Sequence, residues 1–384
     1  MKILLFSDAC YNDNIFPLFK ALTEKGHDVT CLIYLSPLRI ALFDIEKRLP
    51  QQSIIRVSEY AEIQQYSKYV SLDKMYFVNH EVSPRKPWNY LLSAISVYSF
   101  VKRGNFDYIY TDKVYARFFN ILHLFRKKTI FIQHDTFPHT GEAVSKHFVK
   151  CLRNMHKKVA KVVILNKNDY HKFCSVFNLN PQKVAINKLG PLECIKLYTK
   201  PNVTEEKNNI LFFGRISEYK GIEYLCEAMT IVHDVIPEAT LTIAGSGKIY
   251  FDYSKYKDCS YIKFENRYIS EDELALLIQK CCVTVFPYTD STQSGGVLTS
   301  FALGKPVIVS DLETMRELVE EGRHGYFANP RDAKSLADSI IKFLLDDKKS
   351  ESLKNYILSD YYDGEKSWTY IANKYIEVFN SLKK

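Results

Sequence analysis

The sequence lacks the patterns that identify several common classes of protein. Its nine cysteines form no C-x-x-C pair, and no apolar run approaches the roughly 20 residues of a membrane-spanning helix. The first apolar run meets Asp8 and is too short for a secretory signal. We therefore expect reduced thiols, no cysteine-bound metal cluster and a cytoplasmic protein, soluble or peripheral on the inner face of the cell membrane.

Three signatures of catalytic chemistry are also missing. No G-x-G-x-x-G follows the first predicted strand, where Tyr11–Asn14 stands instead, so the dinucleotide fingerprint is absent. No D-x-D triplet offers carboxylates to a divalent metal. No pair of carboxylates brackets a candidate site, which disfavours glycoside hydrolysis by an acid and a nucleophile.

The composition is that of a globular chain with two unlike halves. Its 384 residues, 46% apolar and 25% charged, are enough for about two domains. Residues 1–190 carry 28 basic against 15 acidic side chains, a net +13, whereas residues 191–384 carry 24 against 29, a net −5. The two halves therefore differ in the partners that their charge would attract.

A glycine turn opens a helix in the stretch Asp290–Asp311. The apolar run 282–288 predicts a buried strand before it, and apolar residues at helical spacing follow Ser294-Gly295-Gly296 until Gly304. Val307–Ser310 predicts the next strand. The helix N-terminus of such a βαβ unit offers backbone N–H groups to an anion, and close packing is the alternative explanation of the glycines.

Two cations follow the predicted strand 210–213. Gly214 lets the chain turn off the strand, and Arg215 and Lys220 can point over its carboxyl end, where open α/β sheets bind ligands. Two fixed cations beside a helix N-terminus suit a diphosphate, whereas either one alone is more typical of a solvated surface.

Three motifs occur in a fixed order: FFGRISEYKGIEYLCEAM, LTIAGSGK and TQSGGVLTSFALGKPVIVSDLETMRELVEEGRHGYFANPRD. Their order and spacing resemble those of the retaining GT-B glycosyltransferases of family 4, also called group 1, closely so over about residues 209–338. The resemblance implies an α/β protein of GT-B architecture, with two facing doubly wound, Rossmann-like domains and a cleft between them. We expect domains at 1–191 and 209–365, a polar linker at 192–208, and a last helix within 366–384 that crosses back to the first domain.

The resemblance also implies an activity. It implies transfer of a hexose from a nucleotide-diphosphate sugar, expected to be a UDP-sugar, to a hydroxyl of a bacterial surface glycan or its lipid carrier, with retention of configuration. The sugar nucleotide is a co-substrate, and we expect neither a cofactor nor a metal, because protein cations would neutralise the leaving diphosphate. The residues expected in catalysis are His134, Arg215, Lys220 and Asp290. Those expected to hold the donor are Gly214, Arg215, Lys220, Gly245, Asn266, Arg267, Tyr268, Ser294, Gly295, Gly296 and Thr299.

The chain departs from the family pattern at two positions. The family usually carries two glutamates eight positions apart, one near the donor sugar and one on the ribose. Ser291 and Thr299 stand in those columns, and Asp290 is the nearby carboxylate. Either hydroxyls and backbone hold the donor, or the chain is an impaired partner subunit that binds a nucleotide-sugar. A sugar-nucleotide epimerase of the same fold is a further alternative, disfavoured because it needs acidic residues in the cleft.

The first half offers three further candidates. His134 follows the predicted strand 129–132, where the family has a histidine close to the donor sugar. Lys146, Lys150, Arg153 and Lys157 recur at helical spacing opposite Phe148, Leu152, Met155 and Val159, so one helix has a basic face. That face is either solvated or binds an anionic membrane surface or a lipid diphosphate, and no nucleic-acid reader motif accompanies it. The apolar helix at 91–100 is either a core helix or one that dips into a membrane.

Overall fold

The computed structural model describes residues 1–35, 43, 49, 53–79, 87–112, 124–137, 146–291 and 293–383. Within them the chain divides into two compact units. Unit 1 contains the described residues up to Leu189 and the C-terminal segment from Trp368. Unit 2 contains Gly190–Ser367.

Unit 1 is built on an eight-stranded sheet. Its strands are β1 (Lys2–Asp8), β2 (Asp28–Leu35), β3 (Ser53–Arg56), β4 (Met75–Asn79), β5 (Tyr108–Thr111), β6 (Thr129–Gln133), β7 (Lys161–Ile164) and β8 (Val184–Ile186). They pair in the order β3-β4-β2-β1-β5-β6-β7-β8, and all pairs are parallel except β3 with β4. The strand β2 lies on one side of β1, and β5, to which the chain crosses later, lies on the other side. The strand order therefore reverses between β1 and β5.

Among the described residues, five helices accompany this sheet: α1 (Asn12–Glu24), α2 (Pro87–Gly104), α3 (Lys146–Lys158), α4 (Tyr170–Phe177) and α11 (Trp368–Asn380). Buried side chains of α2, α3 and α4 share one core cluster with alternating residues of the strands, so these three helices cover the same face. The C-terminal helix α11 packs on unit 1, with Phe379 stacked on Tyr108 at a centroid distance of 5.0 Å. The side-chain amide of Asn187 donates to the carbonyl of Ile371 at 3.2 Å.

Unit 2 is built on a six-stranded sheet. Its strands are β9 (Asn209–Phe213), β10 (Thr240–Gly245), β11 (Ile262–Asn266), β12 (Val283–Phe286), β13 (Val307–Ser310) and β14 (Gly325–Ala328). They pair in parallel in the order β11-β10-β9-β12-β13-β14, so the order reverses between β9 and β12. The helices are α5 (Ile222–Val235), α6 (Glu271–Lys280), α7 (Gly295–Ala302), α8 (Glu313–Leu318), α9 (Ala333–Leu344) and α10 (Asp347–Leu358).

Both units are doubly wound α/β domains, so the predicted fold class is confirmed. The segment 192–208, predicted to be a linker, packs on unit 2. It begins with a 3₁₀ helix, Glu193–Tyr198, and its Glu206 N–H donates to the carbonyl of Lys280 at 2.7 Å. Glu205 forms an ion pair with the buried ammonium of Lys305. Its polar composition did not reveal these contacts, because each joins residues far apart in the chain.

The apolar helix α2 is buried on one side only. Val97 and Val101 lie in the core, whereas Leu91, Leu92 and Ile95 are 50%, 52% and 52% exposed. Leu91, Leu92 and Ile95 therefore do not lie in the core that buries Val97 and Val101. No helix in the described residues is long and apolar enough to cross a membrane.

Candidate functional site

The loops after β9 and β12 meet at the carboxyl edge of the unit 2 sheet. They flank the point where the strand order reverses, which is where open α/β sheets bind ligands. The N–H of Thr289 donates to the carbonyl of Tyr219 at 2.8 Å. Gly221 has φ +65°, and a Cβ there would lie 2.0 Å from the carbonyl oxygen of Pro287. Only glycine therefore permits this approach of the two loops.

Lys220 is a cation held among aromatic rings at this junction. Its Nζ lies 3.7 Å from the ring centroid of Tyr288 and 4.8 Å from that of Tyr219. Burial lowers the pKa of Lys220 to about 8; the Tyr219 hydroxyl opposes the shift, and the charge of Arg215 adds to it. None of the ion pairs among the described residues includes Lys220. Tyrosine faces hold the ammonium in place without neutralising it, which leaves its charge for a ligand.

Arg215 adds a second cation beside Lys220. Its side chain is exposed, and its Nη2 donates to the Tyr219 hydroxyl at 3.4 Å. The hydroxyl of Tyr219 thus lies between the two cations. Arg215 and Lys220 therefore share one neighbour, the hydroxyl of Tyr219, in the loop after β9.

Tyr288 connects Lys220 to the N-terminus of α7. The ring is 2% exposed, and its hydroxyl is hydrogen-bonded to the side chain of Ser294. Ser294 caps the helix, since its Oγ accepts from the N–H of Val297 at 3.3 Å. No hydrogen bond within the described residues uses the N–H of Gly295 or Gly296. The two groups are therefore available to an anion next to Lys220.

The two glycines of this turn differ in what packing demands of them. A Cβ at Gly296 would lie 2.6 Å from the ring of Phe286, so close packing alone requires that glycine. A Cβ at Gly295 would meet only Leu192, at an ordinary 3.6 Å. Packing thus explains Gly296 and leaves Gly295 as the position where a ligand can approach the backbone.

The loops after β10 and β11 complete this edge. Gly245 has φ +156°, and a Cβ there would lie 1.8 Å from the carbonyl oxygen of Gly214. The side chain of Asn266 binds Gly247 twice, accepting from its N–H and donating to its carbonyl, both at 3.1 Å. In this structure Gly214, Gly245 and Asn266 hold the loops together.

Arg267 and Tyr268 present different surfaces on the same edge. Arg267 is paired with two carboxylates: its Nε lies 3.1 Å from an oxygen of Glu265 and its Nη1 2.8 Å from one of Glu273. These pairs raise the pKa of Arg267, whose charge is thus already balanced. Tyr268 is 54% exposed, so its ring is accessible for stacking with a base.

Ser291 and Thr299 stand at the two positions where the family usually has glutamate, and their hydroxyl groups already donate hydrogen bonds within the chain. Thr299 donates to the carbonyl of Gly295 at 2.9 Å, and Ser291 donates to that of Gln293 at 3.2 Å. Both are buried, whereas Asp290 is half-buried. Each hydroxyl can therefore only accept a further hydrogen bond, from a ribose or sugar hydroxyl.

Replacing Thr299 with alanine is expected to weaken nucleoside-diphosphate binding by about 0.5–1.5 kcal/mol, the net value of one neutral hydrogen bond. Calorimetric titration of UDP into wild type and Thr299→Ala measures it. Ser300→Ala is the matched control, because Ser300 makes the same contact one residue on, donating to the carbonyl of Gly296 at 2.9 Å. Equal affinities for wild type and Thr299→Ala would show that the hydroxyl serves the helix alone.

Diphosphate affinity is expected to fall as the pH rises through about 8. The free protein has the Lys220 pKa lowered to about 8, and an anion stabilises the ammonium. Affinity is therefore full below that pH and falls by up to about tenfold per unit above it, until the pKa of the complex is reached. Titrations of UDP at pH 7 and 9 in buffers of different ionisation heat should show proton uptake at pH 9. Lys220→Met should abolish the uptake, and uptake that persists in this variant would contradict the assignment.

A second cluster lies at the corresponding edge of the unit 1 sheet, after β1, β5 and β6. His134 stacks on Tyr11 with ring centroids 3.8 Å apart and planes 8° apart. Its Nε2 lies 3.5 Å from a carboxylate oxygen of Asp112, which also accepts from the Ser7 hydroxyl. His134 and Asp112 are 7% and 6% exposed. The structure therefore places His134 in unit 1, where its ring stacks on Tyr11 near the Asp112 carboxylate.

Sequence reasoning missed Asp112, Tyr11, Tyr219 and Tyr288 at these sites. Asp112 follows β5 as His134 follows β6, so its place after a buried strand was a usable signal. The tyrosines carry no such signal, because their contacts depend on which loops meet across the sheet.

Comparison with known proteins identifies the class of unit 2. Residues 207–346 match the family model described as Glycosyl transferases group 1. Residues 207–346 of unit 2 therefore resemble the group 1 glycosyltransferases, which agrees with the resemblance seen in the sequence motifs.

Three similar proteins illustrate this. An uncharacterized glycosyltransferase of Methanocaldococcus jannaschii is 27% identical over 57% of this chain and 59% of its own length. The N,N'-diacetylbacillosaminyl-diphospho-undecaprenol alpha-1,3-N-acetylgalactosaminyltransferase of Campylobacter jejuni is 22% identical over 65% and 62%. The structure of Anabaena HepE with UDP-glucose superposes with a TM-score of 0.67 at 15% identity, covering 99% of this chain and 100% of that one. The chain thus spans about 60% of the length of the first two relatives and shares the GT-B fold with the third.

Proposed function

We propose that this protein transfers a hexose from a UDP-sugar to a hydroxyl of a surface glycan or of its lipid carrier, with retention and without a metal. The observation that carries the proposal is the Lys220 ammonium, held by tyrosine rings beside the N-terminus of α7. Together with Arg215 it forms a fixed positive site for two phosphoryl groups. The site lies at the reversal point of the sheet, in the domain that matches the glycosyltransferase family.

The geometry supports departure of a nucleoside diphosphate. As the bond between the anomeric carbon and the diphosphate oxygen breaks, charge grows on that oxygen. Lys220, Arg215 and the N–H groups of Gly295 and Gly296 are placed to stabilise it, and fixed donors of this kind need no reorganisation during the reaction. In the retaining reaction the acceptor oxygen bonds to the same face of the anomeric carbon, and its proton passes to the departing phosphate.

The donor and acceptor classes rest on the similar proteins. HepE was solved with UDP-glucose, and the Campylobacter enzyme is named for a sugar carried on undecaprenyl diphosphate. We extend both features to this chain. The exposed ring of Tyr268 would stack on the uracil, next to the loop tied by Asn266.

Incubation with a panel of UDP- and GDP-hexoses tests the proposal. We expect slow release of UDP without an acceptor and fast release when a glycolipid acceptor is added. Product NMR then reports the anomeric configuration, and an inverted product would overturn retention. A chain that binds UDP with micromolar affinity but releases none from any donor would overturn the transferase.

One observation favours a second candidate, a partner subunit that binds a nucleotide-sugar without turning it over. Ser291 and Thr299 stand where the family has glutamates, and both have their hydroxyl protons committed within the chain. Donor hydrolysis separates the two candidates, because a transferase leaks a slow hydrolysis and a bare binder gives none. If hydrolysis is absent, introducing both glutamates, Ser291→Glu with Thr299→Glu, tests whether activity was lost at these positions.

Transfer is expected to persist in EDTA. The positive charge that a metal would supply comes here from Lys220, Arg215 and the N-terminus of α7. Initial rates with 5 mM EDTA should stay within about twofold of those in added Mg²⁺ or Mn²⁺. Strict dependence on either cation would contradict the metal-free part of the proposal.

A further inference from the structure

The outward side of α2 carries an exposed apolar patch. Val97 and Val101 face the sheet, whereas Leu91, Leu92 and Ile95 are each about half exposed. At about 100° per residue, these three lie between about 120° and 220° around the helix from Val97. They therefore point away from the core of unit 1.

The same outward side becomes basic toward the end of α2. Lys102 and Arg103 are exposed and follow the apolar patch along the helix. Lys102 lies over the ring of Tyr98 at 5.6 Å, and Arg103 donates to the carbonyl of Ser99 at 3.3 Å. Neither contact neutralises the charge.

The helix α3 adds basic side chains on the same side of unit 1. Leu152 and Met155 are buried in the core that α2 shares, whereas Lys150, Arg153 and Lys157 are exposed. None of the ion pairs in the described part of the chain uses these three residues. The predicted basic face is therefore present from Lys150 onward; the side chain of Lys146 lies outside the described residues. Because both helices cover one face of the sheet, their outward sides confront the same surroundings.

Three kinds of partner could cover this face: a second copy of the chain, another protein or a membrane. The chemistry of the face favours one of them. A second copy of the chain would set the cations of one copy against those of the other, which disfavours self-association. A protein partner would need an acidic rim around an apolar centre, and nothing in the chain points to one. An anionic bilayer offers both parts at once: phosphates for the cations and an acyl boundary for leucine and isoleucine. The net +13 of residues 1–190 favours the same partner.

We propose that the outward face of α2 and α3 docks on the surface of an anionic membrane. Leu91, Leu92 and Ile95 enter the boundary between headgroups and acyl chains, and Lys150, Arg153 and Lys157 lie over lipid phosphates. This inference does not depend on the transfer reaction, and its test measures lipid binding alone.

The test is flotation of the full chain with vesicles of phosphatidylglycerol and phosphatidylcholine, and with phosphatidylcholine alone. Three variants are compared with wild type: an apolar one (L91S, L92S, I95S), a basic one (K150Q, R153Q, K157Q), and a control (K200Q, K255Q, K257Q) that removes as much charge from exposed positions of unit 2. Thermal unfolding and UDP affinity confirm that each variant is folded.

We expect wild type and the control to bind anionic vesicles and not neutral ones. The basic variant should bind about 100-fold more weakly, since each cation contributes about fivefold. The apolar variant should bind anionic vesicles more than about tenfold more weakly than wild type. Its remaining binding should be electrostatic and should be lost when salt is added. The proposal is overturned if either variant binds like wild type or if neutral vesicles bind equally well. The proposal is also overturned if wild type forms a dimer that does not bind lipid and the apolar variant is a monomer. That result would assign the face to contact with a second copy of the chain.

Discussion

Replacing Lys220 with methionine is expected to lower kcat/KM for sugar transfer by about 10²–10³-fold, or about 2.7–4 kcal/mol, the usual loss when one preorganised charge stabiliser is removed. Methionine keeps an apolar stem over Tyr288 and Tyr219, so the fold should survive. The loss should exceed that in UDP affinity, because the charge on the departing oxygen is largest in the transition state. Single-turnover rates with the donor and calorimetry with UDP separate the two.

Two further variants sharpen this result. Arg215→Ala should also abolish most of the transfer, since the exposed guanidinium is the second cation of the site. Lys342→Met is the matched control: its ammonium lies 4.3 Å from the ring centroid of Tyr326, but on α9, away from the reversal of the strand order. Its turnover should equal wild type. Wild-type turnover in Lys220→Met would refute the diphosphate assignment.

Replacing His134 with alanine is expected to lower kcat by about 10²-fold, the lower range for loss of a positioned proton-transferring or hydrogen-bonding group. The affinity for UDP should change little, because the diphosphate site belongs to unit 2. The stack on Tyr11 would also be lost, so the free energy of unfolding should fall by about 0.5–1.5 kcal/mol. Steady-state kinetics, calorimetry with UDP and denaturant unfolding measure the three quantities.

The companion variants identify what His134 does. His134→Gln retains a hydrogen-bonding side chain and should recover part of the turnover if the histidine binds a sugar hydroxyl. Asp112→Asn keeps the shape of the residue but not its charge, and should reduce kcat less than His134→Ala if Asp112 only orients the ring. A His134→Ala protein with unchanged kcat would leave the histidine with a structural role, stacked on Tyr11.

The architecture could be predicted from the sequence because its signals are local. Apolar runs predicted the strands, and the positions of Gly214, Arg215, Lys220 and Gly295 after two of them predicted two loops that meet at one edge of the sheet. What could not be predicted depends on contacts between distant segments. The position of Lys220 over the ring of Tyr288, for example, requires knowing that the loops after β9 and β12 meet.

The periodicity of the sequence also could not predict which side chains of α2 are buried. The pattern of α2 is apolar on most sides, so the sequence left open whether Leu91 and Ile95 face a core. The structure decides it, because the sheet covers only the side of Val97 and Val101. The segment 192–208 shows the converse, since its polar composition does not indicate the contacts that it makes with unit 2.

The discontinuity of unit 1 determines the order in which the chain can finish folding during synthesis. The described part of unit 2, Gly190–Ser367, precedes α11 in the chain, so it is synthesised before α11. Unit 1 waits for α11, since Tyr108 and Tyr110 stay uncovered until Phe379 and Tyr375 arrive. The domain that is translated first is therefore the one that is completed last.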